Sequence, residues 1–258
     1  MKELLGQVIF NELADKTLFE VRLKVGRPLI YYTPNGRRES RIVVSEKMMN
    51  DFLSVASEGS FYTIADKMKE GYISYKGMRI GIAGEYLSDG YSPTIIKKVT
   101  SAVVRVPRQI LDCSLSVNSL NKNVLVAAPV FSGKTTFLRD LARRAANEGK
   151  RVVVIDERKE LSMSGALDLG NADVLEGLPK RLAYVNAIRA LSPEIIVTDE
   201  LLDEEFAVVK KIIRSGVKVY ASFHTDSLDK IPEELKVFNV YVALSNERVG
   251  KVEEIRYA

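Results

Sequence analysis

The chain has 258 residues, 46% hydrophobic and 28% charged, which excludes a wholly disordered protein and fits one large domain or two small ones. No run approaches the ~20 apolar residues of a membrane-spanning helix, and Met1–Gln7 is not expected to be a secretory signal. A single cysteine, Cys113, excludes an internal disulfide framework, a single histidine, His224, excludes a His-rich zinc site, and 38 basic residues exceed 34 acidic ones by +4.

In chain order, Phe19–Lys24 alternates apolar and polar residues, the pattern of a half-buried strand. Pro28–Tyr32 predicts the next strand, and Thr33–Arg38, with Pro34, Asn35 and Gly36, a turn. Ser45 is placed to cap a helix running through Met48 and Phe52. Gly71–Tyr75 and Met78–Glu85 predict a hairpin around Lys76–Gly77. Val99–Val106 predicts a strand stopped by Pro107, and the polar stretch Leu111–Asn123 a linker.

The second half has a different rhythm. Val124–Ala127, Val152–Ile155, Ile195–Thr198 and Val217–Phe223 are apolar runs suited to fully buried strands. Helical patterns at Thr135–Glu148, Leu182–Leu191 and Glu204–Ser215 alternate with them, so a parallel sheet covered on both faces is expected. Val237–Leu244 and Lys251–Tyr257 predict a closing hairpin around Asn246–Glu247. The expected division is an α+β accessory domain over residues 1–115 and an α/β phosphate-loop domain over 116–258. The charge divides in the same way. Residues 1–120 hold 17 Lys/Arg and 13 Asp/Glu, whereas residues 121–258 hold 21 of each.

The chemistry begins at Ala128-Pro129-Val130-Phe131-Ser132-Gly133-Lys134-Thr135-Thr136, between a predicted strand and a predicted helix. A phosphate loop reads Gly, four residues, Gly-Lys-Ser/Thr, and here Ala128 stands at the first Gly. Backbone N–H groups of such a loop cradle phosphates, aided by the helix dipole. Gly133 lets the backbone approach, Lys134 reaches the β and γ phosphates, and Thr135 offers its hydroxyl to Mg²⁺. Ala128 requires a backbone angle that tolerates a Cβ.

Acidic partners are expected at neighbouring strand ends. Asp199 and Glu200 end the Ile195 strand, so Asp199 is expected to hold Mg²⁺ beside Thr135 and Glu200 to orient the attacking water. Asp156 and Glu157 end the Val152 strand and either join the water-activating group or are surface charges. His224 ends the fourth run, where an imidazole would sense the γ-phosphate or serve the structure alone.

These four segments, in this order, resemble the secretion ATPases of type II and type IV systems. A narrower resemblance, to the stage III sporulation protein AA family, rests on Asn123–Leu141 with Ser132–Arg143, Ile155–Arg158 and Ile188–Glu200, together with Phe19–Leu29, Gly71–Gly84 and Thr100–Arg108. The resemblance implies a RecA-like core with a mostly parallel sheet, preceded by a smaller α+β domain. It implies an ATPase using ATP and Mg²⁺, assembled as a hexameric ring. It also implies a cytoplasmic, membrane-peripheral place at the inner face of a secretion-like complex between mother cell and forespore. Ring ATPases complete a site with a neighbour's arginine, and Arg79, Arg105, Arg108 and Arg189 are the candidates. Two other readings share the phosphate loop: a nucleotide-gated, non-catalytic scaffold, and a nucleic-acid-dependent ATPase. The second lacks an aromatic–basic stacking pattern, so no specific nucleic acid is expected. A small-molecule kinase is disfavoured, since no Arg-rich lid insertion follows the loop.

Overall fold

The computed structural model describes residues 1–58, 72–88, 93–245 and 247–258. Two compact units emerge, Met1–Arg108 and Gln109–Ala258, each built on its own apolar core. Among the described residues no helix is long and apolar enough to cross a membrane.

The first unit is an antiparallel sheet with two helices. Strands β1 (Glu20–Lys24), β2 (Pro28–Thr33), β3 (Gly36–Val43), β4 (Ile73–Tyr75), β5 (Met78–Ser88) and β6 (Pro93–Arg105) lie in the order β3-β2-β1-β6-β5-β4. Alternation along β1 buries Val21 and Leu23 and leaves Arg22 and Lys24 outside. Helix α1 (Lys2–Leu13) buries Leu4, Leu5, Ile9 and Leu13, and helix α2 (Glu46–Ala56) buries Met49, Phe52, Leu53 and Ala56. Ser45 caps α2 as expected, its Oγ accepting from Met48 N at 3.1 Å. The β4–β5 turn takes positive φ at Lys76 (43°) and Gly77 (75°), the backbone hand that matches strand twist in a two-residue hairpin. The predicted strand at Gly71–Tyr75 begins outside the described residues at Gly71, and so does the last hairpin's tip at Asn246.

The second unit is α/β. Strands β7 (Val124–Ala128), β8 (Val152–Asp156), β9 (Asp173–Glu176), β10 (Ile195–Glu200), β11 (Lys218–His224), β12 (Val240–Leu244) and β13 (Val252–Tyr257) lie in the order β13-β12-β7-β11-β10-β8-β9. Every neighbouring pair is parallel except β12–β13. Helix α3 (Lys134–Asn147) packs on one face with Val124, Val126 and Val154, while α4 (Lys180–Asn186) and α5 (Phe206–Arg214) cover Leu125, Val153 and Ile196 on the other. Burial on both faces is why these strands read as apolar runs and not as alternating ones.

Leu111–Asn123 has no helix or strand, but it is not a free linker. Asp140 on α3 is fully buried and accepts hydrogen bonds from Asp112 N (3.0 Å), Ser114 N (2.9 Å) and Ser114 Oγ (2.7 Å). Arg144 Nη1 donates to Ser114 O at 2.6 Å. The segment is therefore stapled to α3, and the units divide after Arg108.

Two helices also differ from expectation. The predicted Leu182–Leu191 helix starts at Lys180 and turns π-helical over Ala187–Leu191, ending at Ser192 with φ 46°. The predicted Glu204–Ser215 helix opens with a 3₁₀ turn at Asp203–Glu205.

Candidate functional site

The loop from β7 into α3 starts in ordinary strand geometry. Ala128 is the last residue of β7 and has no positive φ, so its Cβ meets no backbone strain. The left-handed positions come later, at Phe131 (65°) and Gly133 (92°), with Ser132 between them outside that region. Alternation of this kind makes an anion-binding nest, and the first turn of α3 adds N–H groups without intrahelical partners. A Cβ on Gly133 would lie 3.1 Å from Gly250 N. Val130 and Phe131 are exposed, and Ser132 is buried.

Lys134 is folded back on its own loop, its Nζ donating to Ala128 O and Pro129 O at 2.7 Å each. Burial pulls its pKa below the ordinary lysine value, and the negative charge of Glu200 works against that fall. Lys134 and Glu200 thus sense each other electrostatically. His224 is exposed at the end of β11, in register with Ala128 on β7. Because β11 runs between β7 and β10, His224 exits between the phosphate loop and Glu200.

The other acids have different employment. Asp156 is fully buried. Its Oδ1 accepts from Glu160 N (2.8 Å), and its Oδ2 from Leu161 N (3.1 Å), Ser162 N (2.8 Å) and Ser162 Oγ (2.9 Å). It closes the turn after β8, which Arg139 of α3 also holds by donating to Leu161 O (2.6 Å) and Glu160 O (2.9 Å). A carboxylate with its lone pairs so engaged is a structural cap and not a free base. Glu157, next along, is exposed.

Asp199 is not presented to Thr135 as a free ligand either. It is buried, and its Oδ1 lies 2.5 Å from Lys180 Nζ. This is an ion contact without directed geometry, since Oδ1 accepts no hydrogen bond among the described residues. Burial raises the Asp199 pKa, and Lys180 pulls it back part of the way. Lys180 also donates to Glu200 O at 2.5 Å and to Glu205 Oε2 at 3.3 Å. Glu157, Lys180, Tyr184, Asp199, Glu200 and Glu205 line a cavity of about 610 Å³ beside β10. Nothing in the Leu178-Pro179-Lys180 stretch marks Lys180 for this place; it reaches Asp199 only through the fold.

Of the candidate arginines, three lie in the first unit. Arg105 is exposed and sits cross-strand from both Glu20 and Arg79. Arg79 lies over the Tyr72 ring at 5.0 Å and Arg108 over Phe19 at 3.9 Å. Arg189, in the second unit, is exposed on the π-helical turn. The cation beside Asp199 is Lys180 and not Arg189.

A Gly-Lys-Thr loop between a buried strand and a helix, on a parallel sheet that follows an antiparallel N-terminal unit, defines the fold of the type II and type IV secretion ATPases. Solved structures share it. The pilus retraction motor PilT with bound ADP aligns at TM-score 0.60 and 15% identity, over 91% of this chain and 76% of that one. The ATPase DotB of Legionella pneumophila aligns at TM-score 0.53 and 14% identity, over 88% and 72%. The family is narrower than the fold. The model for "Sporulation stage III, protein AA" matches residues 2–255, and the chain belongs to that family. Stage III sporulation protein AA of Bacillus subtilis (strain 168) is 29% identical over 274 aligned positions, covering 92% of this chain and 85% of that protein.

Proposed function

We propose that this chain binds and slowly hydrolyses ATP as one subunit of a hexameric ring. The ring would work at the cytoplasmic face of a membrane complex between mother cell and forespore. The observation that carries the reading is that Lys134 and Glu200 both stand at the carboxyl edge of the parallel sheet, with the charge of Glu200 acting on Lys134. Family membership supports the sporulation setting.

The residues present fit Mg-ATP. The Phe131–Gly133 nest suits a polyphosphate, and Mg²⁺ usually takes only one or two protein oxygens beside substrate phosphates. Thr135 supplies such an oxygen. When bound, Mg-ATP would provide the electrophilic γ-phosphoryl group and a neutralising cation. The chain's own part is positioning. Lys134 exchanges two loop carbonyls for phosphate oxygens. Glu200 orients and polarises a water. His224 stands where loss of the γ-phosphate would be felt. Arg79, Arg105, Arg108 or Arg189 of an adjacent subunit would complete the charge balance. In this reading Asp156 acts as a cap, and Asp199 stays with Lys180.

The test is phosphate release from Mg-ATP by the purified chain, with Glu200→Gln beside it. Turnover in the wild type, lost in Glu200→Gln while nucleotide binding persists, supports the assignment. Equal turnover in both removes Glu200 from it. A second reading, a nucleotide-gated scaffold, is favoured by one observation: Lys134 is already satisfied by Ala128 O and Pro129 O, so nucleotide has to draw it away. Light scattering that shows ATP-dependent assembly with no phosphate release would select it.

A further inference from the structure

We propose that Lys180 is a positioning residue for Glu200, and that Asp199 serves as its anchor rather than as a ligand of Mg²⁺. The inference rests on the ATPase reading above and adds residues that reading did not contain.

The argument starts from how β10 ends. Its pairing with β8 stops at Thr198, opposite Ile155. Its register with β11 shifts between Val197 and Glu200. The ladder with β11 is therefore interrupted at Thr198 and Asp199 and resumes at Glu200, opposite Ser222, so β11 alone holds the backbone that aims Glu200. Lys180 supplies a hold from outside the ladder. Its Nζ donates to Glu200 O at 2.5 Å.

Lys180 is itself fixed. Its side chain is only 11% exposed and lies between Asp199 Oδ1 (2.5 Å) and Glu205 Oε2 (3.3 Å). Glu205 is held in turn, with Leu202 N donating to its Oε2 at 2.8 Å and the buried Tyr184 hydroxyl 3.4 Å from its Oε1. One largely buried cation thus serves two buried carboxylates and the backbone carbonyl of Glu200. A buried ion group of this kind is weak evidence for net stability, because desolvation opposes the Coulomb gain. What it does fix is the Lys180 ammonium, whose directed bond goes to Glu200 O. An Asp199 committed to Lys180 is also poorly placed to give its oxygen to a hydrated cation.

The test compares Lys180→Met, Lys180→Arg, Asp199→Asn and the double variant Lys180→Met with Asp199→Asn. Each is measured for kcat, KM, affinity for a fluorescent ATP analogue, and the Mg²⁺ concentration needed for half-maximal analogue binding. Lys180→Met should lower kcat about 10- to 100-fold, the loss that a small misplacement of a catalytic group produces, with KM and analogue affinity within about threefold of wild type. Lys180→Arg should recover most of the loss. Asp199→Asn should leave the Mg²⁺ requirement unchanged. If Lys180→Met leaves two unpaired carboxylates that spoil folding, the double variant removes one of them. It should melt near wild type yet keep the kcat defect. Wild-type kcat in a folded Lys180→Met protein, or in the folded double variant, would overturn the proposal, as would an Asp199→Asn protein needing about tenfold more Mg²⁺. Absence of turnover in the wild type would instead remove the ATPase reading, and this inference with it.

Discussion

Gly250 donates its backbone N–H to Ser132 O across 2.9 Å, so the turn of the β12–β13 hairpin is hydrogen-bonded to the phosphate loop. The same backbone would meet a Cβ placed on Gly133 at 3.1 Å. Gly133 is therefore required twice, by its φ of 92° and by its neighbour. Gly133→Ala should lose about 1–2 kcal/mol of stability from the left-handed backbone alone, and should lose nucleotide binding as well. Chemical denaturation and titration with a fluorescent nucleotide check both parts. Retained affinity would show that the loop adapts.

The two acids after β8 should behave oppositely. Asp156→Ala leaves three backbone N–H groups without their acceptor, at about 1–3 kcal/mol per buried group, while the Ser162 hydroxyl keeps Glu176. A loss of about 3 kcal/mol or more in urea denaturation is expected. Glu157→Ala, at an exposed position, should stay within about 0.5 kcal/mol. A stable Asp156→Ala protein that has lost only turnover would return Asp156 to the catalytic group.

Cys113 provides a pH test of the stapled segment. Burial, and next the charge of Asp140, push its thiol up to about 11. Raising the pKa of a thiol lowers its thiolate fraction at any lower pH, to roughly one molecule in a thousand at pH 8. Reaction with a disulfide reagent at pH 8 should therefore be about 100-fold slower in the native protein than in denaturant, and should rise about tenfold per pH unit towards 10. Native reactivity equal to that of the unfolded chain would mean that residues 109–123 detach from α3.

If an arginine acts across a subunit boundary, two inactive proteins should rescue each other. Lys134→Ala lacks the phosphate lysine, and a double variant, Arg105→Ala with Arg108→Ala, lacks two candidate donors. Mixed one to one, they should regain up to about a quarter of wild-type turnover, because some sites pair an intact loop with an intact neighbour. A mixture no more active than its parts would leave Arg79 and Arg189 as the candidates.

The segments most legible in the sequence are those whose neighbours are dictated by chain order. Val124–Ala127, Val152–Ile155 and Ile195–Thr198 are buried on both faces, and burial on both faces leaves continuous apolar runs. Edge elements were harder to read. β3 exposes Arg37, Arg38, Glu39 and Arg41, and its start therefore reads as the tail of a turn. β9 is a four-residue edge strand that begins and ends with an acid. Helix α1 is interrupted at Gly6, whose φ is 73°, which blurs its periodicity. Among the candidate site residues, Gly133, Lys134 and Glu200 could be picked out because each stands at a strand exit or a loop. The partners of Asp156, Asp199 and Lys180 could not. A pattern shows that a strand ends in a carboxylate but not where that carboxylate points, and at Asp199 a register shift decides the matter.

Strand β13 has a consequence for how copies of this chain can join. It is the outer strand of its sheet and the only antiparallel one there among the described residues, and it displays Glu253, Glu254 and Arg256. Arg256 is tied to Glu254 (2.8 Å) and to Asp229 (2.9 Å). Charged edge strands discourage a second sheet from adding to the first. At this edge, copies in the proposed ring would then be mortared by side chains, not woven through their backbones. Each subunit could tilt against its neighbour without tearing a shared sheet.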